Sequence, residues 1–330
     1  GKIMIKGLEV LSGHYGVFNH FLYTQQNNPE KAVNQGRGVV GWNELVDGVD
    51  TDKIAHQLNE AGASYYVFTL MQGTEYLAAP NETFDRIAGT KPGQACSFRD
   101  LPLDLAKSLS RYGIKLFLYF TGDGPWKKES IGRKFGFVEP RENVSESFVE
   151  KWASVVEEYA VRYGNKISGW WFDGCYNEKC VFKFNYSDRL LRRYYDACRK
   201  GNPEAAVAFN NGIRPGFEKN FIDEDYIAGE YTDFNIYPEN GKFADGALCH
   251  ILAPLGLSSD GNQFHAWGEP GCKISKENLA KYIKTLTDIG AAVTVEIALN
   301  FDSTFDPDQL DALRYVKSVV RKYKQSANDC

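Results

Sequence analysis

The chain has 330 residues, 43% hydrophobic and 25% charged, with a net charge of −5. That profile is globular rather than disordered or fibrous, and mild acidity without a basic run speaks against nucleic acid or an anionic membrane surface as partner. No apolar run reaches the roughly 18 residues of a membrane span, and the 7 cysteines contain no CxxC pair, so neither a span nor a zinc site is expected.

From the N-terminus, apolar runs alternate with stretches of helical period. Residues 15–23 read as a first strand. Residues 52–60 carry Ile54 and Leu58 at helical spacing and stop at Gly62, and the aromatic run 64–71 is a second strand. Leu101, Leu105 and Leu109 mark a helix over 101–112, ended by Gly113 and followed by a third strand, 114–121. A long loop then runs from Gly122 to about Pro140, and a long helix spans 145–163. The fourth strand is Ile167-Ser168-Gly169-Trp170-Trp171-Phe172-Asp173, closed by Gly174. A helix over 187–199 precedes Gly201-Asn202-Pro203, and strands follow at 205–210, 225–231 and 247–253. A helix over 275–289 is capped by Ser275, an eighth strand covers 291–300, and a helix over 306–324 closes the chain.

Eight strands interleaved with helices predict an α/β fold, a (β/α)8 TIM barrel spanning residues 1–330 as a single domain. Units five to seven lack clear long helices and are expected to be irregular. An open doubly wound sheet is the alternative. No glycine-rich dinucleotide fingerprint follows a strand, so no nucleotide cofactor is expected.

The residue that stands out is Asp173. A carboxylate at the C-terminal end of a barrel strand lies on the rim where such folds place their chemistry. Trp171 beside it offers a flat face on which a sugar ring can stack. The plain alternative is an Asp that caps a helix or holds a loop. Glycoside hydrolysis commonly uses two carboxyls. Glu230, at the end of the sixth strand between Gly229 and Tyr231, is the expected partner; partial burial would raise its pKa and suit a general acid. Glu296 is the rival. It stands alone in the apolar run Val293-Thr294-Val295-Glu296-Ile297-Ala298-Leu299, where a carboxylate is costly unless paired or functional. Candidate substrate-binding residues are His20, Gln72, Trp171, Asn210, Arg214, Trp267 and Glu296. For the histidine, the amides and the tryptophan, packing and turn formation are the plain alternatives.

At these residues the sequence resembles glycoside hydrolase family 29, the α-L-fucosidases, over about residues 14 to 322. Tyr15-Gly16-Val17-Phe18-Asn19-His20 is similar to that family's first-strand motif, and Trp171-Phe172-Asp173-Gly174 to its nucleophile motif. Asp225-Tyr226-Ile227-Ala228-Gly229-Glu230-Tyr231 resembles the segment that often carries its acid/base, and Ala266-Trp267-Gly268 also matches in pattern. The resemblance implies a retaining mechanism with Asp173 as nucleophile, Glu230 as acid/base, His20 on the sugar, and no metal or cofactor. Three departures stand out. Where the family carries adjacent histidines after the second strand, this chain reads Met71-Gln72-Gly73-Thr74-Glu75. Glu296 stands where the family pattern is apolar, and residues 1–330 are expected to hold the barrel without the family's C-terminal β-sandwich.

The leading expectation is a retaining exo-glycosidase acting on terminal α-L-fucose or a related sugar of an oligosaccharide or glycoconjugate. A carbohydrate-binding protein with a decayed site is the alternative from another class; a lyase or aldolase on the same barrel is a third. A secreted or periplasmic address is expected from the substrate class. Cys175 and Cys180 would bridge in an oxidising compartment or stay free, and Asn81, Asn143 and Asn185 carry glycosylation acceptor patterns.

Overall fold

The strands are short, aromatic and buried on both faces, the pattern of a parallel sheet covered on either side. They are β1 (Tyr15–Asn19), β2 (Tyr65–Thr69), β3 (Lys115–Thr121), β4 (Ile167–Asp173), β5 (Ala206–Phe209), β6 (Phe243–Ala244), β7 (Ala247–Leu248), β8 (His250–Pro254) and β9 (Ala292–Ile297). The computed structural model describes residues 4–137 and 142–328. Seven strands form one curled, all-parallel sheet in the order β5-β4-β3-β2-β1-β9-β8, and β6 pairs with β7 as a separate antiparallel ribbon.

The helices connecting these strands end where their sequences stop them. Asp50, Asp100, Ser145 and Ser275 each accept a backbone N–H at the start of the helices Thr51–Ala61, Leu101–Ser110, Glu146–Tyr163 and Lys276–Asp288. Asn81 does the same for Glu82–Ala88 and is itself buried, so its acceptor pattern is inaccessible in the folded chain. The buried faces of these helices pack on the outside of the sheet, around Trp152, Tyr159, Leu58 and Ile283.

A second core fills the inside of the curl. Phe18, Tyr65, Phe117, Tyr119, Trp171 and Tyr226 meet there. Strand side chains alternate between faces, so each strand supplies both cores. The helix Lys6–Leu11, which the sequence reading passed over, plugs the end of the curl away from the strand C-termini. Leu8 and Leu11 join the inner core, and Gly7 donates its N–H to Glu204 O at 2.9 Å. A Cβ at Gly7 would overlap the carbonyl oxygen of Ser168, so only glycine lets this helix lie so close to β4.

The expectations for units five to seven need correction in detail. Residues 225–231 do not form a regular strand. Asp225 exchanges bonds with β5, its N–H reaching Val207 O at 3.2 Å. Isolated bridges then join Tyr226 to Leu248 and Glu230 to Leu252. The break lies at Gly229, whose φ is +62°, a left-handed conformation that a regular strand does not contain. The predicted seventh strand divides between the β6–β7 ribbon and β8. No helix follows β5 before β6 among the described residues. In the predicted 122–140 loop, Glu129–Lys134 is helical, and residues 138–140 lie outside the described part.

Candidate active site

Because all seven strands run the same way, the residues after their C-terminal ends share one rim. His20 follows β1, Gln72 follows β2, Asp173 ends β4, Asn210 follows β5 and Glu230 makes the second of the isolated bridges, to Leu252 of β8. A cavity of ≈ 190 Å³ opens there, lined by His20, Gln72, Trp171, Asp173, Glu230 and Trp267. The structure thus gathers residues from across more than two hundred positions of chain. Phe18, Gln25, Tyr119 and Leu252 complete the lining.

Asn210 ties the two carboxyls together. Its side-chain Nδ2 donates to Asp173 Oδ1 at 3.0 Å and to Glu230 Oε1 at 2.9 Å. Two acceptors on one trigonal amide nitrogen at such distances stand about 5 Å apart. The Asn210 backbone is fixed in turn, its N–H donating to Phe172 O at 2.7 Å, and its Oδ1 accepts from the Gly212 N–H at 3.1 Å.

Asp173 is held from every side. Oδ2 accepts from the Tyr119 hydroxyl at 2.6 Å, while Oδ1 accepts from the Gly174 N–H at 2.9 Å and the Tyr176 hydroxyl at 3.2 Å. Burial and the neighbouring negative charge push both phenols well above their ordinary pKa, so they remain protonated donors. Gln72 Nε2 donates to the Tyr119 oxygen at 2.7 Å, which turns the phenolic hydrogen toward Asp173. Trp171 stacks on Tyr119 with ring centroids 5.5 Å apart and donates its indole N–H to Ala228 O at 2.8 Å.

Glu230 differs from Asp173 in its surroundings. Burial, and then the charge of Asp173, raise its pKa to about 7, against the pull of the Asn210 N–H. One carboxyl thus accepts four hydrogen bonds beside a second whose pKa is raised to about 7.

Opposite the pair, His20 Nδ1 lies 3.2 Å from Glu296 Oε1, which also accepts the Gly268 N–H at 2.9 Å. The His20 ring meets Trp267 edge-on at 5.7 Å. Glu296 therefore stands behind His20 instead of lining the cavity, and the carboxyl that Asn210 bridges to Asp173 is that of Glu230. Arg214 lies apart from the cavity, donating to Glu218 Oε2 at 2.9 Å and Lys179 O at 2.7 Å. Cys175 and Cys180 are free and buried. Among the described residues no His, Cys, Asp and Glu cluster is placed to hold a metal, and no helix is long and apolar enough to cross a membrane.

Sequence reading missed Tyr119, Tyr176 and Gln25. Tyr119 had a signal: it lies two residues before the end of β3, on the face that carries Phe117 inward. Nothing in the sequence around Gln25 marks it.

No protein-family model and no curated protein matches the chain. Solved structures do. The endo-fucoidan hydrolase MfFcnA4 from glycoside hydrolase family 107 superposes with a TM-score of 0.72 at 15% identity, over 96% of this chain and 54% of that one. This chain thus spans about half the length of MfFcnA4. A family 29 α-L-fucosidase from Bacteroides thetaiotaomicron matches with a TM-score of 0.64 at 14% identity, over 98% of this chain and 75% of the other. The α-L-fucosidase AlfC from Lactobacillus casei, in complex with α-L-fucose, matches with a TM-score of 0.60 at 16% identity, over 94% and 96%. At such identity the likeness is one of fold, shared with fucose-acting glycoside hydrolases of two families.

Proposed function

We propose that the chain is a retaining glycoside hydrolase that releases terminal α-L-fucose, or a sugar of related configuration, by double displacement. The observation that carries this reading is the Asn210 bridge. It sets one oxygen of Asp173 and one of Glu230 about 5 Å apart, near the ~5–5.5 Å separation of retaining enzymes and short of the ~6.5–9.5 Å that admits a water between the carboxyls.

In the first step Glu230, protonated, gives its proton to the glycosidic oxygen as Asp173 Oδ2 or Oδ1 attacks the anomeric carbon. The aglycone leaves with that proton, and a glycosyl ester joins the sugar to Asp173. In the second step Glu230, now a carboxylate, takes a proton from water as the water oxygen attacks the same carbon. The sugar leaves with its original configuration, and both carboxyls return to their starting states. The hydroxyls of Tyr119 and Tyr176 hold the attacking carboxylate in place through both steps.

The barrel enters this reading too. Residues 225–231, bonded to β5 on one side and to β7 and β8 on the other, stand where a sixth strand would close the ring. The fold shared with family 29 and family 107 enzymes supports fucose-type chemistry. The compact cavity of ≈ 190 Å³, lined among others by Trp267, His20 and Trp171, favours one terminal ring over an internal stretch of polymer.

Incubation with a 2-deoxy-2-fluoro-α-L-fucosyl donor, followed by peptide mass spectrometry, tests the assignment. The label is expected on Asp173. Asp173→Ala should lower turnover of an aryl α-L-fucoside by about 10³-fold or more. A label on another residue, or full turnover by the variant, overturns the mechanism. Release of oligomers from fucoidan with no action on the aryl glycoside would replace exo by endo cleavage.

A further inference from the structure

Two buried oxygens have no hydrogen-bond partner among the described residues on this side of the site: Gln25 Oε1, of the cavity lining, and Glu296 Oε2, behind His20. They belong to one corner. Gln25 lines the cavity, and its amide lies against Gly268, a Cβ at Gly268 falling 3.0 Å from Gln25 Oε1. Gly268 in turn donates its N–H to Glu296 Oε1. Glu296 is only 1% exposed, and on β9 it shares a face with Thr294 and Ala292, which point into the inner core toward Tyr65 and His250. A buried acceptor without a donor costs about 1–3 kcal/mol, and the Gln25 oxygen, belonging to the lining of a binding cavity, marks a place that a ligand completes.

We infer that Gln25, together with a His20 that Glu296 holds from behind, forms a hydroxyl-reading corner that selects a sugar carrying a free, unsubstituted hydroxyl on the edge of the ring away from the scissile bond. This rests on the glycosidase reading above and narrows its substrate class. A sugar hydroxyl can donate its hydrogen to the Gln25 amide oxygen, which has no donor of its own. A sulfate, an acyl ester or a carboxylate at that ring position presents only acceptor oxygens to acceptors, and none of the residues lining the cavity is Lys or Arg to offset a negative charge. Glu296 is a positioning residue in this scheme as well. By accepting from His20 Nδ1 it turns Nε2 toward the ligand.

The test uses calorimetric binding and aryl-glycoside turnover with methyl and aryl α-L-fucosides and their 2-, 3- and 4-monodeoxy and monosulfated forms. Wild-type protein should lose about 10- to 100-fold in affinity and in kcat/KM for one monodeoxy sugar, and bind the sulfate ester at that same position no better. Gln25→Leu should lose as much on the parent sugar and nothing further on that deoxy sugar. Glu296→Gln keeps an acceptor toward His20; it should raise KM several-fold and leave the basic limb of the pH profile in place, since that limb belongs to Glu230. Equal loss by Gln25→Leu on parent and deoxy sugars, or tight binding of every sulfated form, overturns the inference while the glycosidase reading stands. A pH limb that disappears in Glu296→Gln overturns the positioning role. No binding or turnover of any sugar in the panel overturns the inference together with the reading beneath it.

Discussion

At the scale of single residues, one amide organises the chemistry. Asn210 donates to both carboxyls, so it lowers the pKa of Glu230 while Asp173 and burial raise it. Asn210→Ala should therefore move the basic limb of kcat/KM upward in pH and cut activity about 10- to 100-fold, the value of a hydrogen bond to a charged group; a pH–rate series reads both. In the unmodified protein that limb should fall near pH 7, because the proposed mechanism needs Glu230 protonated and its pKa lies at about 7. The same shift bears on stability. Folding raises this pKa above its ordinary 4.5, so folding favours the protonated form. Its contribution is complete below about pH 4.5 and is lost as pH rises through about 7, up to about 3 kcal/mol in all. Glu230→Gln should accordingly be more stable than the parent at pH 8 and lose that advantage at pH 4.5, as denaturant unfolding at the two pH values would show. Asp173 and Glu230 were both legible as candidates, each an acid beside glycine and aromatics in an apolar run. Asn210 was legible only as an amide after a strand; that it holds both carboxyls depends on where β5 lies beside β4, which no local pattern contains.

At the scale of elements, the segment carrying Glu230 shows how an irregularity aims a side chain. Gly229 takes φ +62°, and a Cβ there would overlap the carbonyl oxygen of His250. Gly229→Ala should cost about 2–4 kcal/mol from left-handed strain and the collision together, measured by urea unfolding, and should depress activity beyond that loss because Glu230 moves with the backbone. The sequence reading placed a regular strand at 225–231, since Tyr226-Ile227-Ala228 is apolar and strand-like. What it could not supply is the competition for hydrogen bonds: Asp225 uses its carboxyl on the Val207 N–H at 3.0 Å, and the backbone then bonds to Leu248 of β7 as far as Ile227 and to Leu252 of β8 from Gly229 onward. The longer helices with capping residues and glycine stops were read within a few positions, because those signals reinforce a helical period that several turns display. The short helices Trp42–Asp47 and Glu82–Ala88 were not; they have too few turns to show a period and are held by packing of Trp42 and Phe84 into the outer core.

At the scale of the whole molecule, two nested cores share one sheet, and the inner one is closed from below by a six-residue helix. Leu8, fully buried, is the test of that closure. Leu8→Ala should cost about 2–5 kcal/mol, a loss out of proportion to a residue near the chain terminus, and thermal unfolding followed by circular dichroism would measure it. The amino-acid order by itself determined the alternation of strand and helix, the direction in which strands are joined, and the residue types that end them. Those follow from side-chain period, caps and glycine stops, which act over a few positions. The tertiary structure alone decided which strand ends meet. It joined Asp173 to Glu230 through Asn210, set Glu296 behind His20 with Gln25 beside it, and left Arg214 outside, because the curl and register of the sheet bring distant residues to a common rim through contacts made only when the whole chain has folded.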